Sequence, residues 1–191
     1  PWMFSLVPHP KYEVETYFSY LRDKTEIREI GILYDQSPYA GFTFKIAQGL
    51  AESYGLKIVG AEQYVQTDAD FSVVLKKLYA DGARALVKMG TGPSSVTIAK
   101  NIKGLGLDLP IMASTDDLEI LSEAAKVMGP DLHFVASLTQ VYDALPADHP
   151  IKSVSGPFLD KWTEAYGSRD TLWGARGYDA TLVLAAAIKE A

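Results

Sequence analysis

The feature that most constrains the fold is a repeated alternation between short β-branched runs and longer stretches with apolar residues at helical spacing. This alternation predicts parallel strands joined by crossover helices, because parallel neighbours cannot be connected by a tight turn. Five strands are predicted, at residues 29–34, 57–61, 85–89, 110–113 and 132–137. The predicted fold class is therefore α/β, with a three-layer, doubly wound parallel sheet of the Rossmann-like or flavodoxin-like kind.

The stretches between these strands carry helix signals. After the first strand, apolar residues recur at helical spacing and are followed by a glycine suited to a helix end: Phe42, Ile46, Leu50, Tyr54 and Gly55. Asp68 and Asp70 are predicted to cap the next helix, and Asp116 and Asp117 to cap a helix over 118–128.

The chain changes character after residue 137. Pro146, Pro150 and Pro157 are predicted to interrupt any regular element across 139–157, which indicates a loop or an interdomain crossing. Two further helices are predicted beyond it, at 158–166 and about 178–190.

Composition excludes several function classes. The net charge is -6 and the 18 basic residues are scattered among acidic ones, which argues against a nucleic-acid partner. The absence of cysteine excludes disulfides, thiolate zinc sites and cysteine nucleophiles. No apolar run is long enough to span a bilayer.

No residue pattern indicates catalysis. His9, His133 and His149 are isolated and lack the paired spacing of a metal site. A glycine pattern over 90–95 begins like a dinucleotide-binding loop but follows the third strand and lacks the third glycine. We therefore predict no catalytic residue, no metal and no cofactor, and a binding protein in place of an enzyme.

The candidate binding residues lie where predicted strands end. Ligands of doubly wound sheets bind at the carboxyl ends of the strands. Here those ends carry hydroxyls, glycines and predicted helix N-termini, in the runs 37–39, 91–95 and 114–117.

Several segments, in the same order, resemble leucine-binding-type periplasmic receptors. The run Ile30 to Gly41 is similar to the strand and turn that open the second lobe of these proteins. The segments 64–72, 86–93 and 104–110 resemble the lobe's later elements, and 177–180 resembles a helix of the other lobe. The chain is thus identified as a member of the type I periplasmic solute-binding family, within the branched-chain amino-acid ABC transporter receptors.

The resemblance implies a domain plan. Residues 1–138 correspond to the second lobe, with 1–10 as the end of a hinge crossing, and 139–157 form another crossing. Residues 158–191 correspond to first-lobe helices, which without their sheet repack on the lobe or associate with another copy. The chain begins without an initiator methionine or cleavage site and ends within a helical pattern, so we expect a fragment whose signal peptide lies outside it.

The resemblance also implies site residues. Tyr39 matches an aromatic residue that covers the ligand, and Thr91 aligns with a ligand-touching tyrosine, beside amides at Gly92 and Ser94. Two simpler explanations stay open. Tyr39 can instead pack over its own helix, and residues 91–95 can form an ordinary turn. Tyr142 is a further candidate, from the crossing segment.

The loop after the fourth strand departs from the family pattern. Thr115, next to Ser114, stands where the leucine-binding member has an acid that pairs with the ligand's ammonium. Asp116 and Asp117 are neighbouring carboxylates that either take over this pairing or only cap the following helix. The ligand is therefore a branched-chain amino acid or a related amino acid, aromatic acid or amide.

The expected function is the substrate-binding component of an ABC transporter, located in the periplasm. It binds a small carboxylate-bearing solute in an interlobe cleft, closes by hinge bending and presents the solute to a membrane permease. The alternative is a small-molecule sensory or effector domain of a regulator, because fold alone does not separate the two.

Overall fold

The computed structural model describes residues 6–114, 116–169 and 171–190. These residues form two compact units. The first is His9–Val135, and the second combines the described residues before His9 with those after Val135.

The first unit is built on a five-stranded sheet whose neighbouring strands are all parallel. The strand order is β2-β1-β3-β4-β5, which is the flavodoxin-like order and confirms the predicted doubly wound fold. The strands are β1 (Glu29–Asp35), β2 (Lys57–Tyr64), β3 (Ala85–Met89), β4 (Ile111–Ala113) and β5 (Leu132–Phe134).

Five helices flank this sheet. They are α1 (Pro10–Lys24), α2 (Pro38–Leu50), α3 (Ser72–Ala80), α4 (Ser94–Gly104) and α5 (Leu118–Met128). A 3-10 turn, Ala51–Tyr54, extends α2 and ends at Gly55 in a left-handed conformation, as the glycine signal predicted.

The helix α1 was not predicted. Its buried residues Val14, Tyr17, Phe18 and Leu21 follow the i, i+3, i+4, i+7 spacing of an amphipathic helix. The side chain of His9 caps its start by accepting a hydrogen bond from the Lys11 amide at 3.1 Å.

Apolar residues of the sheet pack on both faces. Leu33 and Leu86 point to the face covered by α3, α4 and α5. Ile32 and Val87, the residues one position away, point to the face covered by α1 and α2. This alternation buries the strands on both sides and produces three layers.

The predicted caps are only partly correct. Asp70 Oδ1 accepts a hydrogen bond from the amide of Ser72, the first residue of α3. Asp68 instead accepts one from the Val65 amide, because it lies too far before the helix and closes the preceding turn. The amide of Phe71 is bound by Asn101 Oδ1 of α4 at 2.8 Å.

The cap predicted from Asp117 is wrong. Asp117 occupies the N-cap position of α5 but its side chain makes no cap hydrogen bond there. Its amide donates instead to Asp116 Oδ1 at 2.9 Å, so Asp116 stabilises the turn that precedes the helix.

The second unit contains α6 (Ile151–Tyr166) and α7 (Leu172–Glu190), both longer than predicted. The predicted interruption at Pro157 is wrong, because this proline lies inside α6. A proline removes one backbone hydrogen bond, and burial of Gly156 and Leu159 on either side of it favours continuation of the helix. None of the helices in the described ranges is long and apolar enough to cross a membrane.

Aromatic side chains join α6 and α7. Phe158 contacts Tyr178 with ring centroids 4.8 Å apart, and Trp162 contacts Phe158 and Tyr166. Together with Leu182, these aromatic side chains line a pocket of about 630 Å³. Leu182 and Tyr178 remain about half exposed.

Candidate functional site

The carboxyl edge of the sheet brings together three of the predicted runs. Each run connects a strand to a helix: β1 to α2, β3 to α4 and β4 to α5. Because the strands are parallel neighbours, the three helix N-termini lie at this one edge. Helix N-termini carry partial positive charge and unpaired amides, so this edge is suited to an anionic group.

Tyr39 lies in the first turn of α2. This helix is started by Ser37, whose Oγ accepts a hydrogen bond from the Ala40 amide at 3.1 Å. The Tyr39 hydroxyl donates to Glu13 Oε2 of α1 at 2.5 Å, and Glu13 Oε1 also lies 2.8 Å from the Tyr17 hydroxyl. The Tyr39 residue is 38% exposed, so its ring is open to solvent while its hydroxyl is held by Glu13.

The loop after β3 depends on glycine. Gly90 and Gly92 have φ values of +110° and +96°, which L side chains rarely adopt. A Cβ at Gly90 would also overlap the carboxylate of Asp35, lying 2.5 Å from its Cγ. Gly90 therefore lets the loop pass directly over the buried Asp35 at the end of β1.

Asp116 links this loop to the loop after β4. Its Oδ2 accepts a hydrogen bond from the Gly92 amide at 2.7 Å, and its Oδ1 accepts one from Asp117. Asp116 is only 4% exposed, and burial raises its pKa although these hydrogen bonds oppose the shift. Asp116 thus positions the two loops, whereas Asp117 is exposed.

Lys88 places a cation beneath the same loops. It belongs to β3 and is 0% exposed. Its Nζ donates to the carbonyl oxygen of Gly90 at 2.8 Å and lies 3.9 Å from Asp116 Oδ2. Burial lowers the pKa of Lys88 to about 8, while Asp116 and Asp35 act in the opposite direction.

Asp35 supports the loop from the side of β1. Its carboxylate accepts hydrogen bonds from the Ser37 amide and from Gln66 Nε2, both at 2.8 Å. Burial raises the pKa of Asp35, but these hydrogen bonds and the charge of Lys88 outweigh it and leave the pKa lowered. The carboxylate is therefore expected to be charged near neutral pH.

The sequence interpretation missed Lys88, Asp35 and Glu13. A lysine inside the apolar run 85–89 was a usable signal, because a buried lysine needs a partner. Asp35 directly follows the predicted first strand and is not among the candidate residues. Glu13 could not be found without first recognising α1.

The predicted hydroxyl residues have different surroundings. Ser94 is buried, with its Oγ 3.2 Å from the Tyr64 hydroxyl, and Ser114 Oγ donates to the Lys88 carbonyl at 3.2 Å. Both therefore help to hold the edge together. Thr91 is exposed at the loop. Thr115 lies outside the described residues.

Tyr142 belongs to the second unit. It begins a short 3-10 turn, Tyr142–Ala144, and its hydroxyl donates to the Lys152 carbonyl oxygen at 3.3 Å. The cations of Lys152 and Arg169 lie 5.1 Å and 5.4 Å from its ring centroid. Its role in ligand binding stays a prediction.

The described part of the chain holds no group of three or more histidine or acidic residues that could bind a metal ion. The edge is instead lined by amides, hydroxyls, an aromatic ring and buried charges. Such an arrangement can bind a small polar molecule by hydrogen bonds and ring contact.

The sequence matches the family model described as "Periplasmic binding protein" over residues 1–191. The chain belongs to this family. Its members bind solutes, which agrees with the predicted binding role. No curated protein sequence matches the chain.

Solved structures with the same fold agree with the assignment. A leucine-binding protein LivK from Thermotoga maritima MSB8 is similar with a TM-score of 0.75 and 19% identity, covering 95% of this chain and 50% of that one. LivJ from Streptococcus pneumoniae, in complex with isoleucine, has a TM-score of 0.73 and 23% identity, with coverages of 96% and 51%. An extracellular ligand-binding receptor from Rhodopseudomonas palustris HaA2 has values of 0.74 and 22%, with coverages of 87% and 46%.

These likenesses confirm the fold of a type I periplasmic binding protein lobe. This family member spans about half the length of the solved structures that it resembles.

Proposed function

We propose that this chain is part of the substrate-binding component of an ABC transporter and acts in the periplasm. Residues 1–138 form the second lobe, 139–157 a crossing segment, and 158–191 helices of the first lobe. The ligand is a small solute with a carboxylate or amide group, such as a branched-chain amino acid, a related amino or aromatic acid, or an amide. The lobe closes on this ligand together with further strands that the described residues do not include, and a membrane permease recognises the closed form.

The observation that carries the proposal is the convergence of three helix N-termini at the carboxyl edge of the sheet. Their partial positive charge favours a ligand carboxylate. The exposed Thr91 and the open ring of Tyr39 supply a hydroxyl and apolar area beside them. Isoleucine, bound to LivJ from Streptococcus pneumoniae, and valine, bound to a similar branched chain amino acid ABC transporter from Thermus thermophilus, are carboxylates of this size.

Tyr39 provides the first test. We expect Tyr39→Ala to weaken ligand binding at least about tenfold, because an aromatic side chain buried against a ligand contributes about 2 kcal/mol and about 1.4 kcal/mol corresponds to a factor of ten. The full-length receptor is first screened by thermal shift against branched-chain and aromatic amino acids, aromatic acids and small amides. Isothermal titration calorimetry then gives the dissociation constant of each hit for both proteins.

Two further variants control this measurement. Tyr39→Phe keeps the ring and loses the bond to Glu13, so it separates the contribution of the ring from that of the hydroxyl. Tyr79→Ala removes a tyrosine from the C-terminal end of α3, where the ring contacts Arg84. An unchanged dissociation constant in Tyr39→Ala would remove Tyr39 from the site, and the absence of any hit in the screen would contradict the proposed ligand class.

The second unit leads to a separate proposal. Side chains of α7, including Trp173, Val183, Leu184 and Ile188, are more than half exposed. Exposed apolar side chains of this kind favour association with another copy. Light scattering that shows a strictly monomeric chain would contradict self-association.

A further inference from the structure

Lys88 is an unusual residue for the centre of a parallel sheet. Its ammonium is fully buried and has one direct hydrogen-bond partner within the described residues, the carbonyl oxygen of Gly90. Burial of the cation lowers its pKa to about 8. Burial therefore destabilises the charged form by more than the nearby carboxylates stabilise it. A residue that costs stability at the binding edge of a fold is a candidate for a functional role.

The charged groups around Lys88 come from three elements. Asp35 lies at the end of β1, Asp116 follows β4, and Glu13 belongs to α1. The Tyr64 hydroxyl, at the end of β2, faces Asp35 and Asp116 as well. Lys88 is the cation that this group shares, so its charge offsets the mutual repulsion of the carboxylates.

Asp35 and Asp116 lie at opposite ends of the loop Gly90-Thr91-Gly92, which we name the glycine loop. Asp35 lies directly beneath Gly90, and Asp116 accepts the Gly92 amide at 2.7 Å. Lys88 contacts the carbonyl oxygen of Gly90 between them. The two positive φ angles of the loop are thus maintained by contacts at three points.

We propose that Lys88 is a positioning residue: its buried ammonium compensates Asp35 and Asp116 and thereby holds the glycine loop in the geometry that presents Thr91 to the ligand. The inference rests on the proposed function for the identity of the ligand surface. The ordering of the loop by Lys88 does not depend on which ligand is bound.

The test uses ¹⁵N relaxation of this chain without ligand. In the wild-type protein we expect the Gly92 amide to have an order parameter near 0.85, which is typical of rigid backbone. In Lys88→Met, where two buried carboxylates lose their shared cation, we expect it to fall below about 0.6. Lys103→Met is the matched control, because Lys103 also pairs with an aspartate, Asp131, but on the exposed surface.

A double variant separates charge from packing. Lys88→Met combined with Asp116→Asn removes the cation and one carboxylate together, while the asparagine oxygen still accepts the Gly92 amide. We expect it to restore the order of Gly92 to the wild-type value. If Lys88→Met does not fold, a folded double variant with an ordered Gly92 supports the proposal on its own.

The pH provides a second readout, because deprotonation removes the charge of Lys88 without removing its side chain. The Gly92 ¹³Cα resonance is expected to titrate with a midpoint near 8 in the wild-type chain and to stay constant over that range in Lys88→Met. Unchanged loop order in Lys88→Met would overturn the proposal, as would a double variant that is unfolded or as mobile as the single one. Failure of the ligand screen with an ordered, Lys88-dependent loop would instead refute the proposed function alone.

Discussion

Replacing Gly90 with alanine tests whether the glycine loop needs glycine. A φ of +110° strains an alanine by about 1–3 kcal/mol. The new Cβ also overlaps the Asp35 carboxylate, and overpacking of this kind adds about 1–3 kcal/mol. Asp35 cannot turn away freely, because it would break its hydrogen bonds to Ser37 and Gln66. We expect Gly90→Ala to lower the free energy of unfolding by about 2–6 kcal/mol.

Urea denaturation followed by far-UV circular dichroism measures this change. With a slope of about 2 kcal/mol per M, the midpoint should fall by about 1–3 M. Trp162 and Trp173 belong to the second unit, so their contribution to the fluorescence should change less.

Gly49→Ala is the matched control. Gly49 lies inside α2 and a Cβ there meets no atom within 4 Å. Alanine is favoured in a helix, so this variant should gain about 0.5–1 kcal/mol. A Gly90→Ala midpoint equal to that of the wild type or of Gly49→Ala would refute the role assigned to Gly90.

Two further predictions concern buried polar groups. Asn101→Ala leaves the Phe71 amide without its partner on α4. In the same urea assay, this variant should lower the free energy of unfolding by about 1–3 kcal/mol, and a loss below about 0.5 kcal/mol would contradict the prediction. The pKa of Lys88 is about 8 in the folded chain, against an ordinary value of 10.5. Between these two pH values the unfolded chain holds a proton that the folded chain has released. The free energy of unfolding therefore rises with pH in this range. Relative to Lys88→Met, the wild-type chain should gain about 2 kcal/mol between about pH 8 and about pH 10, and an equal pH dependence of the two proteins would argue against a buried ammonium.

The regular elements could be predicted where the sequence pattern was local. The run 85–89 predicted β3 correctly because it is apolar and ends at a glycine, and the helix 118–128 has clear amphipathic spacing. The structure differs where tertiary packing decides: β5 ends three residues before its predicted end, and α6 continues through Pro157. The helix α1 is also local in pattern, because Val14, Tyr17, Phe18 and Leu21 have helical spacing.

The candidate site was predictable in its location but not in its internal contacts. Parallel topology alone places the three runs at one edge, and this part needed no side-chain geometry. The roles of Asp35, Lys88 and Asp116 depend on distances between residues far apart in the chain. Such distances follow from the register of the strands, and strands buried on both faces lack the apolar and polar alternation from which a register could be predicted.

The all-parallel sheet also affects how the chain reaches its folded state. No two neighbouring strands can form a hairpin, so each pairing joins distant residues, such as Ile30 with Ala85 and Ile111 with Leu132. The chain must lose the entropy of closing these loops before the stabilising contacts form. Such topologies therefore fold slowly, on the order of milliseconds to seconds. During that interval the apolar strands are exposed, so refolding yield should decrease as protein concentration increases.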